Sequence, residues 1–260
     1  MKPIILATCL TATLVIPAAA SERIAFSPDG KRMAVGWDDG RIEIRDGATG
    51  DLRASFLHEG VPNFDPASSA VNWTPTFAFS PDGKTLASAC GYAPVMLWDA
   101  EDGGKIRALP GRSVGYDLTF SSDGSRIIGI GVDSKVGPHR LTLWDVQAGR
   151  RLRDLTIEMK LGKEWNRYRF KTVRFAQSGP MLVIETYEGQ RHFIRVWNAQ
   201  TGEETMKIAS DAGYPPSWVL SPDGNTLVTR SYSSGKHTMW ETDTGKAKKT
   251  WDKSMDVNNK

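Results

Sequence analysis

The chain has 260 residues, 40% of them hydrophobic, and a formal net charge of +3, which suits one large all-β domain or two small domains. Lys and Arg are scattered rather than gathered in a stripe, which argues against a nucleic-acid binder. Gly, Pro and Trp are spread along the sequence, so collagen-like and low-complexity classes are excluded until the last nine or so residues.

Residues 1–20 have the layout of a secretory signal. Lys2 supplies the positive start, Ile4 to Ile16 the apolar run, and Ala18-Ala19-Ala20 the small residues before a cut. The run is too short for a stable membrane span. Cleavage near Ser21 is expected, which makes the protein exported, periplasmic or extracellular. A lipid-attachment reading needs Cys9 as the modified residue, and Thr8 suits it poorly. The first repeat opens at Ile24, so almost no spacer follows the cut; the competing reading keeps Thr13 to Ala19 as a strand. With Cys9 in the leader, Cys90 has no intrachain partner. Beside Ala87, Ser88 and Ala89 it reads as a small packed side chain rather than a reactive thiol.

From Ile24 one phrase recurs. It stands as Phe26-Ser27-Pro28-Asp29-Gly30, Phe79-Ser80-Pro81-Asp82-Gly83, Phe120-Ser121-Ser122-Asp123-Gly124, Phe175-Ala176-Gln177-Ser178-Gly179 and Leu220-Ser221-Pro222-Asp223-Gly224. Each copy is followed by a companion: Ile44-Arg45-Asp46, Leu97-Trp98-Asp99, Leu143-Trp144-Asp145, Val196-Trp197-Asn198 and Met239-Trp240-Glu241. Intervals of roughly 40–55 residues lie near the range of blade-type repeats. Pro presets φ at the second turn position and Gly accepts the left-handed conformation, so each phrase predicts a tight turn between strands. Within one unit, Phe77 to Ser80, Thr85 to Ala89, Val95 to Trp98 and Lys105 to Leu109 read as four antiparallel strands. The units span approximately 23–57, 76–109, 115–157, 170–208 and 217–251 of a domain covering 21–260, with a polar tail at 252–260.

Alternation settles the architecture. Val95 and Leu97 face one side and Met96 and Trp98 the other; Leu141, Leu143 and Trp144, and Ile194, Val196 and Trp197, repeat this. A sheet apolar on both faces must be covered on both. The fourth strand alternates with polar residues, as Leu52, Ala54 and Phe56 do around Arg53 and Ser55. The expected fold is all-β, a β-propeller of five four-stranded antiparallel blades, as a closed small ring or an open arc. These units resemble WD repeats, in a degenerate form like that of bacterial-type secreted members, over residues 24–251. The turn after the Trp is similar too, as in Asp99-Ala100-Glu101-Asp102-Gly103, Asp145-Val146-Gln147-Ala148-Gly149, Asn198-Ala199-Gln200-Thr201-Gly202 and Glu241-Thr242-Asp243-Thr244-Gly245.

The departures from the family pattern carry expectations of their own. Its Gly-His pair is missing from all five units, and of its Asp only Asp38 and Asp133 look like remnants. The polar tetrad is therefore expected to be largely absent, leaving stability to apolar packing between blades. Family members usually have seven blades. No strand is left over to latch a ring, unless Thr13 to Ala19 serves, and a bare blade face would permit self-association.

The resemblance implies a non-enzymatic interaction scaffold that binds a protein partner. The long, unlike connections share one end of the blades, where variable insertions on a repeat scaffold usually bind. Trp73, Tyr92, Tyr116, Trp165, Arg167, Tyr168, Tyr187, Arg191 and Tyr214 fall in or beside them, and Tyr, Trp and Arg are enriched at binding hot spots. Trp218, directly before an apolar strand, reads as core. The alternatives are a carbohydrate- or small-ligand-binding propeller using the same rings as stacking platforms, and a hydrolase or lyase with an axial site. No cofactor or metal is expected: His58, His139, His192 and His237 lack ligand spacing, and no nucleophile elbow or phosphate loop occurs.

Overall fold

The computed structural model describes residues 24–37, 39–59, 75–90, 93–111, 117–132, 139–156, 170–188, 191–209 and 217–252. The first unit forms β1 (Ile24–Phe26), β2 (Arg32–Gly36), β3 (Arg41–Asp46) and β4 (Leu52–Leu57). The second forms β5 (Thr76–Phe79), β6 (Thr85–Ala89), β7 (Met96–Asp99) and β8 (Lys105–Ala108). The third forms β9 (Leu118–Phe120), β10 (Arg126–Val132), β11 (His139–Asp145) and β12 (Arg150–Thr156). The fourth forms β13 (Phe170–Phe175), β14 (Met181–Glu188), β15 (Arg191–Asn198) and β16 (Glu203–Ala209). The fifth forms β17 (Ser217–Leu220), β18 (Thr226–Arg230), β19 (His237–Glu241) and β20 (Ala247–Trp251). Each unit is a separate four-stranded sheet with its strands in chain order. This is the expected set of five antiparallel blades.

Local chemistry explains the turns. Ser27 Oγ donates to Asp29 Oδ1 at 2.6 Å, and Ser80–Asp82, Ser121–Asp123 and Ser221–Asp223 repeat the bond at 2.6, 2.6 and 2.5 Å. The same hydroxyls accept the N–H groups of Arg32, Thr85, Arg126 and Thr226, which open the second strands. Gly83 completes the turn at φ 71°, in the left-handed region where a side chain is strained. The fourth unit has Ala176 in place of the Ser, and there the turn is tied to the next blade instead: Ser178 N–H donates to Pro222 O at 2.7 Å.

A feature invisible in the sequence recurs in all five sheets. The pairing of third and fourth strands slips between Ile44 and Arg45, Leu97 and Trp98, Leu143 and Trp144, Val196 and Trp197, and Met239 and Trp240. Such a bulge admits one extra residue and increases local twist. It corrects the simple alternation expected for the fourth strand: Leu52 pairs with Arg45 and is exposed, whereas Ala54 and Phe56 turn inward.

The sheets pack face to face in chain order. Ala34, Ile42 and Ile44 of the first meet Leu86, Met96 and Trp98 of the second. Ala87, Val95 and Leu97 of the second meet Leu118, Ile127 and Trp144 of the third. Ile128, Leu141 and Leu143 of the third meet Leu182, Ile184 and Trp197 of the fourth. Met181, Val183 and Val196 of the fourth meet Leu227, Trp218 and Trp240 of the fifth. So the Trp of the second to fifth blades looks back to the preceding blade, and in the second to fourth the residue before it looks forward. The inner strands β1, β5, β9 and β13 adjoin in turn. Among the described residues no core joins the fifth blade to the first: Ile24 and Phe26 are each 50% exposed and Val219 is 62% exposed. Among the described residues, coverage of both faces therefore holds for the three inner blades and not for the outward faces of the two end blades.

Candidate functional site

At one end of the blades, that of the short turns, much of the polar chemistry is already committed. At the short-turn end, carboxylates close their own loops. Asp46 Oδ1 accepts the N–H groups of Ala48 and Thr49, both at 2.9 Å, and Asp145 and Asn198 accept from Ala148, Gln200 and Thr201 likewise. Ties between blades lie beside these loops. Arg32 and Arg53 pair with Glu101, Arg107 Nη1 donates to Gln147 O at 3.0 Å, and Thr205 Oγ1 donates to Thr242 O at 2.5 Å. These contacts tie neighbouring blades at the short-turn end.

The opposite end carries the long connections. Most of the residues expected to bind a partner fall there and lie outside the described residues: Trp73, Tyr92, Tyr116, Trp165, Arg167, Tyr168 and Tyr214. The structure places Tyr187 on β14 and Arg191 on β15, in the hairpin where Tyr187 pairs with His192 and Glu188 with Arg191. Both strands run for 8 residues, longer than any other described pair of central strands. Arg191 is exposed. Trp218 does belong to the core: it is half-buried against the fourth blade and donates Nε1–H to Glu185 Oε1 at 2.5 Å. Asp38 and Asp133, the two candidate remnants of the family's Asp, lie outside the described residues.

Two blades keep a bond between the Trp and a hydroxyl of the second strand, although the Gly-His pairs are missing. Trp98 Nε1 donates to Ser88 Oγ at 2.7 Å, and Trp240 Nε1 to Thr229 Oγ1 at 2.9 Å. His58, which precedes the second unit without a Gly beside it, is buried edge-on to Trp98 with ring centroids 6.3 Å apart. Its Nε2 lies 3.3 Å from Ser88 O and its Nδ1 lies 3.0 Å from Glu59 O. Trp144 Nε1 instead donates to Pro110 O at 2.8 Å. Burial pushes the His58 pKa down, its two carbonyl contacts only partly opposing this.

One tie near the axis was not signalled by any motif. Asp117, just ahead of β9, accepts Leu118 N–H through Oδ1 at 3.0 Å; its Oδ2 accepts Val173 N–H at 2.8 Å and Arg174 Nη1 at 3.1 Å. It joins the third blade to the fourth. Burial pushes its carboxyl pKa up even though Arg174 pulls the other way.

Of the groups considered for chemistry, Cys90 is fully buried and burial raises its thiol pKa to about 12, which disfavours the thiolate. His139 opens β11 and His192 is the second residue of β15. Among the described residues no three His, Cys, Asp or Glu side chains form a group able to hold a metal ion. Nor does any described helix have the length and apolarity to cross a membrane.

The titrations have opposite ends of one pH scale to act on. The folded pKa of His58 lies below its ordinary 6.5, so its contribution is complete above that pH and is lost as pH falls through the folded value. The Ser hydroxyls hold Asp29, Asp82, Asp123 and Asp223 below the ordinary 3.8, so their contribution disappears only at more acid pH. Urea midpoints are therefore expected to fall in two steps on acidification. His58→Gln should flatten the first step and leave the second; an unchanged first step would mean that His58 is not the group titrating.

Among the described residues, five separate four-stranded sheets packed face to face in chain order are the blades of an all-β propeller, and a solved structure is similar in fold. The computationally designed Ika8 protein matches with a TM-score of 0.56 and 20% identity over 88% of this chain and 60% of that one. No family model matches the sequence. Stretches of the chain are nonetheless similar to WD-repeat proteins. The rat WD repeat-containing protein 1 is 34% identical over 91 residues, which is 34% of this chain and 13% of that protein. Mouse transducin-like enhancer protein 2 is 29% identical over 126 residues, covering 48% and 15%. Arabidopsis thaliana small ribosomal subunit protein RACK1z is 29% identical over 94 residues, covering 36% and 27%. The matched stretch thus spans well under a third of each of these relatives.

Proposed function

We propose that the protein is an exported, non-enzymatic scaffold that binds a protein partner through the end carrying the long connections. WD-repeat relatives are typically interaction scaffolds, which supports the coarse reading. The choice of end rests on one observation: the β14–β15 hairpin is the longest described central hairpin and puts Arg191, exposed, at that end with Tyr187. At the other end the turn carboxylates are occupied in holding loops. A rigid platform that presents Arg and aromatic anchors binds without refolding, so its affinity follows from a few desolvated side chains. The export step rests on residues 1–20 alone.

Partner recovery from envelope and secreted fractions tests this. A Tyr187→Ala, Arg191→Glu double variant and a Trp165→Ala, Arg167→Ala double variant should each lose the partner by about thirtyfold or more, the loss expected of a hot-spot truncation. Lys84→Glu, exposed at the short-turn end, should retain it. Equal recovery by all three would discard the chosen end.

A further inference from the structure

Every internal joint between blades is built from the same parts. The forward face of a blade supplies a row such as Ala25–Ala34–Ile44–Ala54, with Phe56 beyond it; the next blade answers with a row such as Phe79–Leu86–Trp98–Lys105. Phe56 then lies on Trp98, ring centroids 4.6 Å apart. The outer strand of one blade also lies over the turn glycine of the next. A Cβ on Gly103 would come within 2.4 Å of Phe56, one on Gly149 within 2.4 Å of Arg107, and one on Gly202 within 2.3 Å of Arg153.

The first and fifth blades each present one half of that joint. Gly30 and Gly50 have the same positive φ as their counterparts, 70° and 77°, yet a Cβ on either would meet nothing within 4 Å. The backward face of the first blade carries the row Phe26–Met33–Arg45–Leu52. Arg45 stands where the other four blades have Trp, and it pairs with Glu43 at 2.7 Å, as does Arg41 at 3.3 Å. The forward face of the fifth blade carries the row Val219–Val228–Met239–Lys249. Trp251, in the position of Phe56, stacks on His237 at 5.6 Å.

We infer that the forward face of the fifth blade in one copy seats on the backward face of the first blade in a second copy, repeating the internal joint between molecules. In that register Trp251 lies on Arg45, so a cation over an aromatic face replaces the Phe56–Trp98 ring pair. Lys249 takes the place of Arg107 and Arg153, over the turn that holds Asp46, Gly50 and the exposed Asp51. Val219 and Met239 cover Phe26 and Met33. Pairing like with like is disfavoured: two forward faces would oppose Lys249 to Lys249, and two backward faces would oppose Arg41 and Arg45 to themselves. A joint of unlike surfaces propagates, giving a ring or a filament of copies.

Sedimentation velocity on the full chain across a wide concentration range tests this. The protein should form dimers and larger species as concentration rises. On the forward face, Val219→Glu and Trp251→Glu should each weaken association by about thirtyfold or more; on the backward face, Ile24→Glu should do the same. All three sites are at the exposed ends, and unchanged thermal unfolding would confirm that each variant folds. The deciding arm is a mixture of Val219→Glu with Ile24→Glu. Each variant retains one intact half, so together they should form a dimer and nothing larger. A wild-type chain that stays monomeric throughout, a Val219→Glu variant that associates normally, or a mixture that does not rejoin would each overturn the inference.

Discussion

Trp144→Ala is expected to lower the unfolding free energy by about 3–5 kcal/mol, the usual range for removing a large buried aromatic side chain. Trp144 is fully buried between the second and third blades, against Ala87, Leu97 and Leu109 on one side and Leu118 and Ile127 on its own. The cavity has little means of collapse, because the walls are backbone-paired strands from two sheets. Gly129 shows how tight the site is: a Cβ there would come within 3.1 Å of the indole ring. The loss is a large part of the ~5–15 kcal/mol that a domain of this kind has in total. Trp144→Phe should cost less, about 1–2 kcal/mol, because it fills most of the space and chiefly leaves Pro110 O without its indole donor. Trp240→Ala should fall between the two, since Trp240 is only half-buried on the end blade. Urea denaturation with an unchanged m-value checks all three. Equal losses at Trp144 and Trp240 would show that packing between blades does not set the stability.

What the sequence made legible was the chemistry that acts locally. Ser80, Asp82 and Gly83 build their turn from within six residues, so the same letters in four units announce the same turn. The alternation at Leu97 and Trp98 likewise announced a sheet covered on both sides. Features decided by pairing across the chain were not legible. The five bulges change register between strands without any residue type in common, and they moved Leu52 to the exposed face. No Gly stands beside His58 to mark it, yet its ring reaches the carbonyl of Ser88, 30 residues away, and the indole of Trp98. The one departure with a structural counterpart is Arg45 at a Trp position, which lies on a face against which no described blade packs. At the proposed binding end, only Tyr187 and Arg191 are placed, in one hairpin, because the other expected residues lie outside the described segments.

Asp117→Ala should destabilise the protein by about 3 kcal/mol, out of proportion to the size of the deletion. The carboxylate serves three donors across the joint of the third and fourth blades, and two of them are the backbone N–H groups of Leu118 and Val173. A buried donor left without its acceptor costs roughly 1–3 kcal/mol, so two such losses outweigh the gain from no longer burying a charge. The pair with Arg174 adds little, because that side chain is 53% exposed. Asp117→Asn separates hydrogen bonding from charge: one carbonyl oxygen remains, while the amide nitrogen faces Val173 N–H as donor against donor. The pH dependence supplies the sign. Burial holds the folded pKa of Asp117 above its ordinary 3.8, so the stability linked to this group is complete below that value and is lost as pH rises through the folded pKa. The gap in urea midpoint between wild type and Asp117→Asn should therefore widen as pH falls from neutrality toward 4. A gap that narrows over the same window would mean that Arg174 and the backbone donors outweigh burial, and that this carboxylate is held by its partners as an ordinary ion pair.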